Sequence, residues 1–259
     1  MPPAPARPIL VSVSGSRADI RLNRPEVLNA MSFEVFEALA EAVDEVAASD
    51  VDVCVVSGEG RSFSSGIDVT SLASQSRPPD ELISVAQRGY RKLTALSCPT
   101  IAVIQGHALG AGLQLAIACD LRIVARNARM GLLELNYGII PDLGGSTGLP
   151  RSIGAGRAKM MIWTGEQIDG DEAGRIGLAE VVVEATELGA TTDGLAAAIA
   201  AAPTGPVREA KALIDASRDL DVEAGFDAEA AAQARCMSDP GFAEAMLAGV
   251  QKVMQKPSL

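Results

Sequence analysis

The sequence predicts an α/β fold that gives way to a helical C-terminal region. Three observations point there: short apolar runs that stop at glycine, amphipathic stretches of helical period between them, and Ala-rich helical stretches after Pro150. Buried parallel strands read as short continuous apolar runs, and their alternation with helices is the rhythm of βαβ units.

Met1 to Pro8 is rich in Pro and Ala and has no apolar signal core, so residues 1–8 are expected to be a disordered lead-in. Ile9 to Val13 and Ala18 to Leu22 are β-rich runs joined by Ser14-Gly15-Ser16, an edge hairpin. From Ser32, a candidate N-cap, apolar residues recur at Phe36, Leu39, Ala40, Val43, Val46 and Ala47, with Glu37, Glu41 and Glu45 opposite. That spacing is one face of a helix. Val53 to Val56 ends at Gly58 and Ile101 to Ile104 ends at Gly106, two buried strands with a helix over Pro79 to Leu96 between them. Gly110 to Cys119 reads as a helix and Leu121 to Ala125 as a strand. After Pro150 come helical stretches at Ala155 to Trp163, Asp171 to Arg175, Glu187 to Ala201, Val207 to Ser217, Val222 to Arg235 and Phe242 to Met254. The expected division is a core over residues 9–200 and a helical region over 201–259.

The formal charge of −11 argues against a nucleic-acid binder, which needs a basic stripe. No run reaches the roughly 18 apolar residues of a membrane span; the nearest, Leu109 to Cys119, is short and contains Gln114. Cys54, Cys98, Cys119 and Cys236 lie far apart, with neither metal spacing nor a disulfide framework, so no metal site is expected. Pro257-Ser258-Leu259 lacks the basic penultimate residue of a peroxisomal address, and a cytoplasmic location is expected.

Gly144-Gly145-Ser146-Thr147-Gly148 fits the G-x-S-x-G pattern of a nucleophile elbow, but Pro141-Asp142 and Leu149-Pro150 flank it where a strand and a helix are required. His107, the one histidine, precedes the Ser. Two other glycine turns carry more chemistry. Phe63-Ser64-Ser65-Gly66-Ile67-Asp68 and Gly106-His107-Ala108-Leu109-Gly110-Ala111-Gly112 each follow a strand. Glycine lets backbone N–H groups approach a ligand, and helix N-termini add unpaired donors, so two such turns can form an oxyanion hole.

These segments resemble the crotonase, or enoyl-CoA hydratase/isomerase, superfamily. Ile20-Arg21-Leu22-Asn23-Arg24-Pro25 with Leu28-Asn29-Ala30-Met31 is similar to its opening signature, and the two glycine turns to its oxyanion loops. Glu134 with Gly138, Ile140, Pro141, Gly144 and Gly145, and then Thr164 to Asp169 through Gly177-Leu178-Ala179, match later blocks in order. The resemblance implies a spiral of ββα units, C-terminal helices that build trimers or hexamers, and a coenzyme A thioester as substrate with no further cofactor. It places the oxyanion donors at the N–H groups of Ile67 and Ala111, each able to contribute about 3 kcal/mol. It places coenzyme A and acyl contacts at Arg24, Val27, Ser64, Gly66, Asp68, Leu72, Gly110 and Leu133, with Lys252 as a cation from a neighbouring C-terminal helix.

One departure bears on the reaction. Hydratases of the family use two glutamates, and the first of those positions is Gln114 here. An amide can orient a water but cannot take its proton. The second glutamate is kept as Glu134, flanked by Leu132, Leu133 and Leu135, and Asp142 stands where dienoyl-CoA isomerases of the family carry an aspartate. The leading expectation is therefore a 3-enoyl to 2-enoyl isomerase with Glu134 as acid/base. A hydratase in which Gln114 orients water and a non-catalytic acyl-CoA-binding protein are the alternatives. Trp163 and Tyr137 read as core or pocket-wall residues.

Overall fold

The structure, a computed structural model, describes residues 7–255, with side chains as far as residue 251. Residues 1–6 of the expected lead-in lie outside the described residues. The chain divides into two units at Ala198/Ile199.

In the first unit, β1 (Ile9–Ser14) and β2 (Arg17–Leu22) form the expected hairpin, antiparallel, with Ile9 opposite Leu22 and Ser14 opposite Arg17. Ala18, Ile20 and Leu22 alternate inward along β2, as a half-buried strand requires. The chain then crosses over through α1 (Phe33–Ala47), which begins where Ser32 Oγ accepts the Val35 N–H at 3.3 Å. Its predicted apolar face is buried except for Ala47, which is exposed; Ala42 turns inward instead. β3 (Val53–Gly58), β4 (Thr100–Ile104), β6 (Leu121–Ala125) and β8 (Val181–Val183) follow as parallel strands, in the order β1-β2-β3-β4-β6-β8. Between β3 and β4 lie α2 (Val69–Ala73) and α3 (Pro79–Thr94). α1 and α3 pack closely: a Cβ on Gly89 of α3 would sit 2.8 Å from Leu39 Cγ of α1.

A second, shorter ladder runs beside the main sheet. Met31 bridges Ile67, Ser64 bridges Ala108, β5 (His107–Leu109) pairs in parallel with β7 (Arg129–Gly131), and Met130 bridges Ile168. The chain thus repeats long strand, short extended piece and helix, which is the spiral of ββα units expected above. Gly106 makes one of the corners, at φ +59°, where a Cβ would lie 2.1 Å from Arg61 O. Only glycine fits such an approach.

α4 (Ala111–Ala118) follows β5, and after β7 come α5 (Gly145–Ile153), α6 (Ala155–Thr164), α7 (Gly170–Ile176) and, beyond β8, α8 (Leu188–Ala200). The three-residue strands β5, β7 and β8 were not expected, because three residues show no period. Nor was α5: it contains Pro150, which has no N–H to donate inside a helix. Trp163 is 68 % exposed on α6, with Lys159 Nζ 5.8 Å from its ring centroid, and so is not a core residue.

The second unit contains α9 (Thr204–Ala216), α10 (Val222–Ser238) and α11 (Phe242–Gln255). Asp221 caps α10 by accepting the Ala224 N–H at 2.9 Å, and Arg235 of α10 makes two 2.7 Å bonds to Glu209 of α9. Cys54, Cys98 and Cys119 are buried and in no disulfide, and no metal-ligand cluster occurs among the described residues. No helix among them is long and apolar enough to cross a membrane.

Candidate active site

The two glycine turns meet face to face. Gly66 adopts φ +96°, and a Cβ there would lie 2.8 Å from Leu109 O. Gly110 adopts φ +50°, and its Cβ would lie 3.4 Å from Glu134 Oε1 and 3.9 Å from Gly66 Cα. Both conformations are ones that L side chains adopt at a cost, and at Gly66 there is no room for a side chain either. The turns are pinned by backbone bonds: Met31 N–H donates to Gly66 O and Asp68 N–H to Met31 O on one side, Leu109 N–H to Ser64 O on the other.

This geometry leaves the N–H groups of Ile67 and Ala111 with no acceptor among the described residues. Ala111 opens α4, so its N–H is one of the donors a helix start leaves unpaired, at the positive end of the helix dipole. Its carbonyl is held from behind by the Tyr90 hydroxyl at 2.9 Å. Ile67, Ala111, Gly66, Gly110, Gln114, Leu133, Glu134 and Asp142 line one cavity of about 70 Å³, which Tyr137, Ile139 and Leu143 help to enclose.

Glu134 begins a 3₁₀ turn, Glu134–Tyr137, and is only 6 % exposed. Its surroundings are asymmetric. Gln114 Nε2 donates to Glu134 Oε1 at 2.6 Å, whereas Glu134 Oε2 is buried with no hydrogen-bond partner. The direction of the Gln114 amide is fixed, because its Oε1 accepts both the Leu143 N–H at 2.8 Å and the Gly145 N–H at 3.0 Å. A flipped amide would turn its NH₂ onto two donors, so Gln114 can present only N–H to Glu134. Burial pushes the Glu134 carboxyl above the ordinary carboxylate value, and the nearby Asp142 charge adds to that, against the lowering effect of hydrogen bonds from the backbone and from Gln114. Burial likewise raises Asp142, which is half-buried at the edge of the same cavity.

The remaining predicted residues fall into two groups. Gly66, Gly110 and Leu133 line the cavity; Arg24, Val27, Ser64, Asp68 and Leu72 do not. Arg24 is engaged with Ala30 O at 2.7 Å and with Asp68 Oδ2 at 3.3 Å, and Asp68 also caps α2 by accepting the Ser71 N–H. Ser64 is fully buried, with Oγ donating to Asn29 O and accepting the Gly66 N–H, so its hydroxyl shapes the turn. Val27 is exposed in the 3₁₀ turn Pro25–Val27, and Leu72 lies on α2. Lys252 lies on α11, but its side chain is outside the described residues. In the G-x-S-x-G segment a helix does follow the glycines, but Ser146 Oγ donates to Pro141 O, and His107 Nδ1 pairs with Ser62 Oγ instead. Tyr90 and Leu143 carry no signal in the sequence, since their bonds link segments 21 and 29 residues apart.

Comparison with known proteins gives a consistent result. Residues 13–255 match the family model described as Enoyl-CoA hydratase/isomerase. The chain is 32 % identical over 247 residues to the short-chain-enoyl-CoA hydratase of Clostridium acetobutylicum, covering 94 % of this chain and 95 % of that protein. An enoyl-CoA hydratase structure from Bacillus anthracis superposes with a TM-score of 0.89 at 32 % identity, over 95 % of this chain and 96 % of that one. A Thermobifida fusca protein solved in complex with acetoacetyl-CoA superposes with a TM-score of 0.84 at 33 % identity, over 90 % and 96 %.

Proposed function

Because the chain belongs to the enoyl-CoA hydratase/isomerase family, we propose that it shifts the double bond of a 3-enoyl-CoA thioester to the 2-position, with Glu134 as its acid/base. The observation that carries this reading is the fixed direction of Gln114, which can only donate to Glu134 and leaves Glu134 Oε2 unpartnered in the cavity that holds a pair of unpaired backbone donors. The thioester oxygen lies between the N–H groups of Ile67 and Ala111. Glu134 Oε2, the oxygen without a partner, takes the proton from Cα, and the electron pair moves to the thioester oxygen as a dienolate. The same carboxyl returns the proton at Cγ, so no water or second base enters the balance. A carboxyl raised by burial suits this shuttle, because neither taking nor returning the proton is then steeply uphill. Coenzyme A would be met along the turns at Arg24, Val27, Ser64, Gly66 and Asp68, largely through backbone groups, with Lys252 from a neighbouring subunit of a trimer or hexamer.

A second reading, hydration of a 2-enoyl-CoA, is favoured by the names of the relatives above. Here Gln114 would hold a water and Glu134, with Asp142, would handle the protons. Gln114 can only donate to such a water, which draws electron density from the attacking oxygen; the isomerase is preferred for that reason. The test is turnover of 3-hexenoyl-CoA, followed by the absorbance of the conjugated product. Glu134→Gln should abolish turnover while coenzyme A binding persists. Turnover retained in that variant would overturn the assignment.

A further inference from the structure

The Glu134 cavity has a larger neighbour of about 690 Å³ that shares Asp142 and Leu143 with it. One wall is α3, presenting Gln87, Tyr90, Arg91 and Thr94; the other is the segment 140–147, with Ile140, Pro141 and Leu143 as its apolar part and Asp142, Ser146 and Thr147 as its polar part. Nearly every polar group on these walls is already committed. Tyr90 donates to Ala111 O, Thr94 to Tyr90 O, Ser146 to Pro141 O and Thr147 to Gly144 O. Gln87 Nε2 donates to Asp142 O at 2.6 Å, and its Oε1 accepts from Arg91 Nε and Nη2 at 3.3 and 2.8 Å.

Arg91 is the exception. A guanidinium has five N–H donors, and the bonds to Gln87 use two of them. No carboxylate pairs with it among the described residues, although the chain carries 33 acidic residues against 22 basic ones. The neutral Gln87 holds the guanidinium against α3 with no carboxylate bonded to it, at the exposed edge of a space that Ile140, Pro141 and Leu143 line on the other side.

Resting on the acyl-CoA reading above, we propose that this second cavity takes the far end of the acyl chain, and that Arg91 selects chains ending in a carboxylate, that is, mono-coenzyme A thioesters of dicarboxylic acids. The apolar wall takes the methylenes and Arg91 takes the terminal anion in a charge-assisted pair. Asp142 is the one acidic group among the residues the two cavities share, so the terminal anion is expected at the Arg91 side of the space.

The test needs binding alone, so it does not depend on which reaction follows. Glutaryl-, adipoyl- and suberoyl-CoA are titrated calorimetrically against pentanoyl-, hexanoyl- and octanoyl-CoA of matching length. At least one dicarboxylic member should bind about tenfold or more tightly than its neutral counterpart, as expected for a hydrogen bond to a charged group. Arg91→Met should erase that preference and Arg91→Lys should keep part of it. Equal or weaker binding of every dicarboxylic thioester, or a preference that survives Arg91→Met, would overturn the assignment while leaving the parent reading intact. Failure of all six thioesters to bind would overturn both.

Discussion

Replacing Gln114 by Glu changes one amide nitrogen to oxygen at the most constrained point of the site. The packing admits the change, since Glu has nearly the same shape and volume as Gln. One oxygen of the new carboxylate still accepts the Leu143 and Gly145 N–H groups. The other faces Glu134 Oε1 at the 2.6 Å now spanned by a donated hydrogen bond. Two carboxylates at that distance cannot both ionise, so they share a proton and the ionised form of Glu134 is disfavoured. The bond lost is one donated to a charged oxygen in a buried place, about 1.5–3 kcal/mol, or about 10- to 150-fold in the population of the active base. In the wild type Gln114 lowers Glu134; in the variant its replacement raises it, so the acid limb of kcat/KM for 3-hexenoyl-CoA moves to higher pH. Near neutrality isomerisation should fall by about that factor and recover in alkali. An unchanged pH profile with full turnover would show that Gln114 does not control Glu134, and the single-base argument would fail.

Three further outcomes follow from the same geometry. Gly66→Ala places a side chain at φ +96° and 2.8 Å from Leu109 O, so it should cost about 1–3 kcal/mol in urea unfolding and reduce kcat by about 100-fold or more as the Ile67 and Ala111 donors separate. Gly194→Ala, at an exposed position of α8 with nothing within 4 Å of the added Cβ, should instead stabilise by about 0.5–1 kcal/mol and leave turnover unchanged. Burial raises Glu134 above its unfolded value, so the charge is tolerated less well in the folded chain, and the wild type loses stability as pH rises through the raised value. Glu134→Gln should therefore be more stable than the wild type at neutral pH, with the difference closing in acid; an equal difference at both would contradict this.

Much of this molecule could be read from local pattern. The hairpin over β1 and β2, the Ser32 cap of α1, and the strands β3, β4 and β6 announce themselves through alternation, capping chemistry and apolar runs ending in glycine. The same holds for Glu134: a carboxylate among Leu132, Leu133 and Leu135 is already out of place on a solvated surface, and it is buried. The second ladder was illegible because its pieces are single bridges and three-residue strands that gain their meaning only from partners elsewhere in the chain. α5 was hidden by Pro150, whose missing N–H forfeits only one helical bond in a segment held at its start by Gln114. The direction of Gln114 was beyond the sequence for a similar reason: its identity was visible, but the Leu143 and Gly145 N–H groups that orient it arrive from 29 and 31 residues away.

The most direct test of the account offers the wild-type protein 3-hexenoyl-CoA and, separately, crotonyl-CoA, reading conjugated-enoyl absorbance and product mass. The account predicts a rise in absorbance with 3-hexenoyl-CoA at unchanged mass, and no hydrated product from crotonyl-CoA. A fall in absorbance with crotonyl-CoA and the mass of an added water, with 3-hexenoyl-CoA inert, would contradict it and make Gln114 a water-binding residue of a hydratase.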